Sequence, residues 1–159
     1  ARRATADDSS ARLHDRLADM GGRHIVDALR LAQAGRLAPV KQPTEGVTYA
    51  HKIEKHEAKV DWRLPAQALA RRGRAFDPFP GASSTLDGEV VKFWSPHAEA
   101  GDAGAPPGRV LEASPRGIVV ATGEGRLVAT ELQRPGGKRL AAADLLRGFD
   151  VKAGQVFEN

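Results

Sequence analysis

Eight basic side chains carry the chemistry most readily read from this sequence: Lys52, Lys55, Lys59, Arg71, Arg72, Arg74, Lys138 and Arg139. Ammonium and guanidinium groups bind phosphate oxygens and release counterions, which gives affinity for a polyanion without reading its sequence. Lys52, Lys55 and Lys59 stand at i, i+3 and i+7, so a helix here would put three cations on one face. Glu54, Glu57 and Asp61 are interspersed with them, and the same pattern reads as a solvated face whose charges balance. Trp62, Phe76 and Phe79 are expected to anchor this segment to a folded body. Trp62, Trp94, Phe76 and Phe79 could instead stack on bases. Core packing is the expectation, because only 5% of the chain is aromatic.

Other chemistries fit the residues less well. His51, Glu54, His56 and Glu57 resemble a metal cluster in composition, but the two histidines are five apart and miss the His-x-x-x-His face of a zinc site. His14 and Asp15 are expected on a helix surface, pointing away from each other. His97 lies beside Pro96 in what reads as a loop and is assigned nothing. Gly136-Gly137-Lys138-Arg139 lacks the earlier Gly and the following Ser or Thr of a phosphate loop. Gly123-Glu124-Gly125 lacks the third Gly of a dinucleotide fingerprint and reads as a turn. The chain has no Cys, which excludes a disulfide framework and a thiol nucleophile and fits a reducing cytoplasm.

The net charge of +4 is distributed unevenly. Residues 1–40 hold 7 basic and 5 acidic side chains, residues 41–83 hold 8 and 5, and residues 84–159 hold 9 and 10. A local contact stripe fits this better than a uniformly basic nucleic-acid binder. No apolar run approaches the ~18 residues of a membrane span, and the charged N-terminus does not read as a signal peptide. The chain opens on Ala1; a start inside a longer protein and removal of an initiator Met both leave such an end.

The elements that would position the cations read as follows. Asp7-Asp8-Ser9-Ser10 offers helix N-caps. Leu13, Leu17 and Met20, then Ile25, Val26 and Leu29, form an apolar stripe interrupted by Gly21-Gly22 and stopped near Gly35. This is one broken helix or two, with a face that must bury against something. Residues 36–51 are a connector rich in Pro and Gly. Pro65 opens a helix to about Phe76, weakened at Gly73 by about 0.5–1 kcal/mol relative to Ala. Five strands are expected: 82–86 and 89–95 around an Asp87-Gly88 hairpin, then 109–113, 117–122 and 126–133. A loose stretch spans 98–107, and a short helix 141–147. Five short strands suggest a small closed barrel, which leaves no exposed edge.

Thr48-Tyr49-Ala50, Lys52-Ile53, Lys55, Glu57–Trp62 and Arg74–Gly81 resemble the connector and C-terminal module of bacterial methionyl-tRNA formyltransferases. That family usually writes the second block as Arg-Ala-Phe-Asn-Pro-Trp-Pro, and an aliphatic residue at the position of Gly73, so the last turn is expected to fray here. The resemblance runs to about Gly148. It implies a mixed fold: a helical remnant of a Rossmann-like α/β domain over residues 1–35, a connector over 36–63, and an OB-like β-barrel with short helices over 64–159. It implies transfer of a formyl group from 10-formyltetrahydrofolate to the amino group of methionyl-initiator tRNA. The family's active site uses an Asn, a His and an Asp, with the Asn and His in an Asn-x-His arrangement. The single Asn here is Asn159, so no catalytic residue is assigned, and this chain is expected to bind no cofactor or metal. Its expected partners are initiator tRNA, held through the eight cations, and an N-terminal catalytic domain; a cytoplasmic monomer is expected. Two alternatives remain: a stand-alone OB-type nucleic-acid binder, or a related formyl-tetrahydrofolate-using enzyme acting on a small molecule.

Overall fold

The computed structural model describes residues 4, 5 and 8–159. They form two units, one up to Ile53 and one from Glu54 to Asn159.

The first unit is built on α1 (Ser10–Gln33), one uninterrupted helix. Gly21-Gly22 does not break it, although each Gly costs up to about 1 kcal/mol of helix propensity. Neither glycine has a neighbour within 4 Å of where a Cβ would stand. Ser9 is the N-cap and accepts from Arg12 N. Asp7, offered as a cap, lies outside the described residues. Asp8 is held by Arg16 in a two-bonded pair at 3.0 and 3.2 Å and accepts from Thr5 N. At the far end Gly35, at φ 64°, closes a Schellman turn: Gly35 N donates to Ala32 O, and Arg36 N to Leu31 O. No described residue of α1 is buried; Leu17, Ile25, Val26 and Leu29 lie on its exposed surface. Residues 36–53 form no helix or strand.

The second unit contains eight strands, where five were expected. They are β1 (Ala82–Leu86), β2 (Glu89–Trp94), β3 (His97–Glu99), β4 (Val110–Ser114), β5 (Gly117–Ala121), β6 (Arg126–Ala129), β7 (Glu131–Gln133) and β8 (Leu140–Ala141). Two four-stranded sheets result, in the orders β1-β2-β7-β8 and β3-β6-β5-β4, with every pair antiparallel. Two of the three further strands follow bends: one divides the expected strand 126–133, and the other carries the chain past the expected strand end at residue 95. β2 and β3 are one strand kinked at Ser95, whose φ is 48°, and at Pro96; β6 and β7 are one strand interrupted at Thr130. The register is the same on both sides of the bends: Trp94 faces Glu131, and His97 faces Val128. One long bent pair therefore belongs to both sheets. His97 and Glu99, expected in loops, are strand residues. The short β8 was not foreseen.

The Asp87-Gly88 hairpin is as expected. Both residues have positive φ, 50° and 82°, and Leu86 pairs with Glu89 across the turn. Residues 155–159, the C-terminal tail, complete the unit. Phe157 N donates to Gly108 O, Val110 N to Gln155 O and Glu158 N to Thr85 O, so the tail bonds both to the start of β4 and to β1. It thereby covers two strand edges that would otherwise be open. The centre of the unit is an aromatic triad. Trp62, Phe93 and Phe157 are all but inaccessible and lie 5.2 to 5.6 Å apart. Trp62 Nε1 donates to Ser84 Oγ at 3.1 Å, and Ser84 Oγ in turn donates to Glu158 O. Leu86, Val91, Val110, Ile118, Leu127 and Leu132 are buried in the same unit.

Two helices complete the unit, α2 (Ala66–Ala75) and α3 (Ala142–Leu145). α2 does not fray at Gly73. It runs to Ala75, and Gly73 is buried because the Pro96 ring occupies the space of a side chain; a Cβ there would stand 2.3 Å from Pro96 Cγ. Trp62, Phe76 and Trp94 are core residues as expected, but Phe79 is not: it is 56% exposed.

Candidate nucleic-acid interface

The segment before α2 enters the second unit through a single 3-10 turn, Lys55–Ala58. Glu54 and Glu57 close it with a capping box, in which Glu57 Oε1 accepts from Glu54 N at 2.7 Å. Ala58 and Val60 are buried, and Val60 N donates to Ser83 O on the edge of β1. The turn is too short to gather three lysines on one helical face. Lys52 precedes it within the first unit, Lys55 starts it, and Lys59 follows it in extended conformation. The expected i, i+3, i+7 stripe is therefore not a helical stripe.

The balancing carboxylates are engaged elsewhere. Glu54 Oε2 pairs with His56 Nδ1 at 3.3 Å, and Glu57 caps its own turn. Asp61 receives Arg63 through Nε at 2.7 Å and Nη2 at 2.9 Å. That guanidinium holds the Asp61 carboxyl below its ordinary range, and the carboxylate raises Arg63 in turn. Lys52, Lys55 and Lys59 are exposed and have no ion pair among the described residues. With Glu54 on His56 and Glu57 in the cap, three of the four residues weighed as a metal cluster serve the turn itself, and His51 lies outside it.

The arginines differ from one another. α2 presents Arg71 as an exposed side chain and Arg72 and Arg74 as half-buried ones. Arg72 lies over the Phe76 ring, 5.8 Å from its centroid. Lys138 is exposed in the turn between β7 and β8. That turn is formed by Arg134-Pro135-Gly136-Gly137, with Gly137 N donating to Arg134 O and Gly136 at φ 69°. Arg139 is held by the protein: its guanidinium stacks on Trp94 at 3.4 Å from the ring centroid, and Nη2 donates to Asp77 Oδ1 at 2.6 Å. Trp94 Nε1 donates to Gln133 Oε1 at 3.0 Å, so the stack is fixed on both sides.

Four further residues occupy places that sequence reasoning did not give them. Lys92 donates from Nζ to Pro80 O at 2.9 Å, an interaction set by strand register that no local motif announces. Asn159 Oδ1 accepts from Trp62 N at 2.8 Å, so the one Asn of the chain is a structural acceptor. His14 and Asp15 are surface residues, but they do not point apart; Nδ1 and Oδ1 meet at 3.1 Å. No helix among the described residues is long and apolar enough to cross a membrane.

Residues 52–150 match the family described as "Formyl transferase, C-terminal domain". A methionyl-tRNA formyltransferase of Variovorax paradoxus strain S110 is 61% identical over 151 residues, which is 94% of this chain and 47% of that protein. Its counterpart in Paraburkholderia phymatum is 56% identical over 152 residues, 95% of this chain and 46% of that protein. This chain thus spans about half the length of these relatives. Among solved structures, HypX from Aquifex aeolicus in complex with tetrahydrofolic acid aligns at a TM-score of 0.62, with 21% identity over 84% of this chain and 26% of that one. At that identity the likeness concerns the fold. With its family match covering well over half of its residues, this chain belongs to the formyl transferase C-terminal domain family.

Proposed function

We propose that this chain is the tRNA-holding C-terminal part of a methionyl-tRNA formyltransferase, and that it contains none of the reacting groups. The observation that carries the reading is the unpaired state of Lys55 and Lys59 beside three carboxylates that are all bonded elsewhere. The carboxylates that could neutralise these lysines are engaged, which leaves both cations available to phosphate oxygens. The names of the relatives supply the polyanion, a methionyl-tRNA.

In this reading the two sheets, joined by their bent pair and covered by the tail, form an OB-like barrel. Residues 1–35 are the helical end of a Rossmann-like catalytic domain, residues 36–63 the connector and 64–159 the RNA-binding module. The full-length enzyme takes 10-formyltetrahydrofolate as co-substrate and works as a cytoplasmic monomer. The module's role is positional: bonds to phosphates hold the tRNA so that its aminoacyl end reaches the catalytic domain. Lys52, Lys55, Lys59, Arg71, Arg72, Arg74 and Lys138 remain the tRNA-binding set. Arg139 supports that set rather than joining it.

The test is a salt titration of tRNA binding to this chain. Charge reversal at Lys52 and Lys55 is expected to weaken binding and to lower the slope of log K against log salt by about one for each phosphate no longer neutralised. An affinity and slope equal to those of the unmodified chain would refute the assignment. Absence of any tRNA affinity at low salt would favour a packing module of a small-molecule formyltransferase.

A further inference from the structure

Three of the four aromatic residues weighed as base-stackers are buried, and Phe79 is left exposed. Its loop is braced on every side. Asp77 accepts from Arg139 Nη2, Pro80 O accepts from Lys92 Nζ, and Gly81 N donates to Phe76 O at 2.9 Å. Pro80 and Gly81 are buried, and Gly81 lies so close to the Trp94 ring that a Cβ would stand 2.6 Å from it. The backbone cannot swing to fold the phenyl ring inward, so the fold holds a large apolar group in water. Nothing in the second unit's own packing needs it there.

The polar groups beside the loop are cations. Lys92 and Arg139 bond to it directly, and Lys138 precedes Arg139 in the chain. Asp77, the one acid of the loop, is neutralised by Arg139. A lipid tail or an apolar peptide would use the ring and leave the cations idle. A nucleobase uses both, because its face stacks on the ring while a flanking phosphate meets Lys138, the exposed cation here with no ion pair among the described residues. The geometry points to Phe79 as a stacking platform for an unpaired base of the RNA partner. This rests on the tRNA reading above and adds to it an interaction that is not electrostatic.

The test uses the 159-residue chain and an initiator tRNA transcript, with unmodified chain, Phe79→Ala and Phe79→Trp titrated at several salt concentrations. Phe79→Ala is expected to bind about 5- to 20-fold more weakly, with the salt slope unchanged because every phosphate keeps its cation. Phe79→Trp is expected to bind within about twofold of the unmodified chain, since any aromatic face serves. Its added fluorescence, in a chain whose other two tryptophans are buried, should be quenched by tRNA. Both variants should melt at the temperature of the unmodified chain. If the unmodified chain binds tRNA and Phe79→Ala binds equally well, the proposal is overturned and the ring belongs to a protein interface. A clear drop in the melting temperature of Phe79→Ala overturns it in favour of packing. If the unmodified chain fails to bind tRNA at low salt, the tRNA reading falls, and this proposal with it.

Discussion

A guanidinium can direct its N–H groups at phosphate or at its own protein, and the basic residues of this chain divide along that line. Arg139, between Trp94 and Asp77, is a clamp that ties the β7–β8 turn to the loop after α2. Its removal should lower stability by about 1–2 kcal/mol, the combined size of a cation–π interaction and a charge-assisted hydrogen bond on a partly exposed site. Lys138→Ala, one residue away, should leave stability within about 0.5 kcal/mol, as for a free surface cation. Chemical denaturation of the two variants separates the clamp from the phosphate-binding residue. Arg134 is a second clamp. It grips Glu89 through two bonds, donates to Gly148 O and lies over Phe149 at 4.7 Å. The guanidinium draws the Glu89 carboxyl below its ordinary value. A depressed folded-state value means that the pair's contribution is complete above the ordinary carboxylate range and disappears as pH falls through the depressed value. Glu89→Gln should therefore lower stability at neutral pH and flatten its fall in acid; parallel acid limbs for the two proteins would refute the pair's role.

At the scale of elements, short-range geometry was legible and long-range geometry was not. Asp87-Gly88 announces its hairpin because both residues tolerate positive φ and apolar strands flank them. Pro65 and the Phe76-Asp77-Pro78 sequence bracket α2 to within a residue, since proline favours one end of a helix and ends the other. The strand was expected to end at Ser95, and its resumption as β3 was missed because nothing in Pro96 and the loose stretch after it marks that pairing continues from His97. The lysine stripe failed for a related reason: i, i+3, i+7 spacing means one face only if a helix forms, and Glu54 and Glu57 cap a single turn. Gly73 shows propensity and packing in direct opposition. Propensity alone predicts that Gly73→Ala stabilises α2 by about 1 kcal/mol. The Pro96 ring at 2.3 Å from the added Cβ reverses the sign, and a destabilisation of about 1–3 kcal/mol is expected, as for an overpacked core. Pro96→Ala in the same chain should recover most of that stability, which a double-mutant cycle measures as a coupling energy. Additive effects would mean that the two residues do not meet.

At the scale of the whole second unit, the last five residues decide whether the sheets have open edges. Nothing local in Gln155-Val156-Phe157-Glu158-Asn159 signals a structural role, because each of its partners lies far away in sequence. Phe157 completes the triad with Trp62 and Phe93, Glu158 N bonds to β1, and Asn159 receives the backbone of Trp62. The same tail therefore fixes the residue that ends the lysine-bearing segment, and through it the placement of Lys55 and Lys59. Deleting residues 155–159 removes a buried Phe, worth about 3–5 kcal/mol, and strips partners from the edges of β1 and β4. Set against a total of roughly 5–15 kcal/mol for a domain of this kind, the deletion should leave the truncated chain partly unfolded at room temperature and prone to edge-to-edge association. Phe157→Ala alone should be destabilised by a similar amount but stay monomeric, because it keeps the backbone bonds that cover the edges. Thermal melts and light scattering on the two variants distinguish the contributions. Equal aggregation would mean that the ring, not the edge cover, keeps the sheets apart from their neighbours; a fully folded truncation would remove the tail from the architecture altogether.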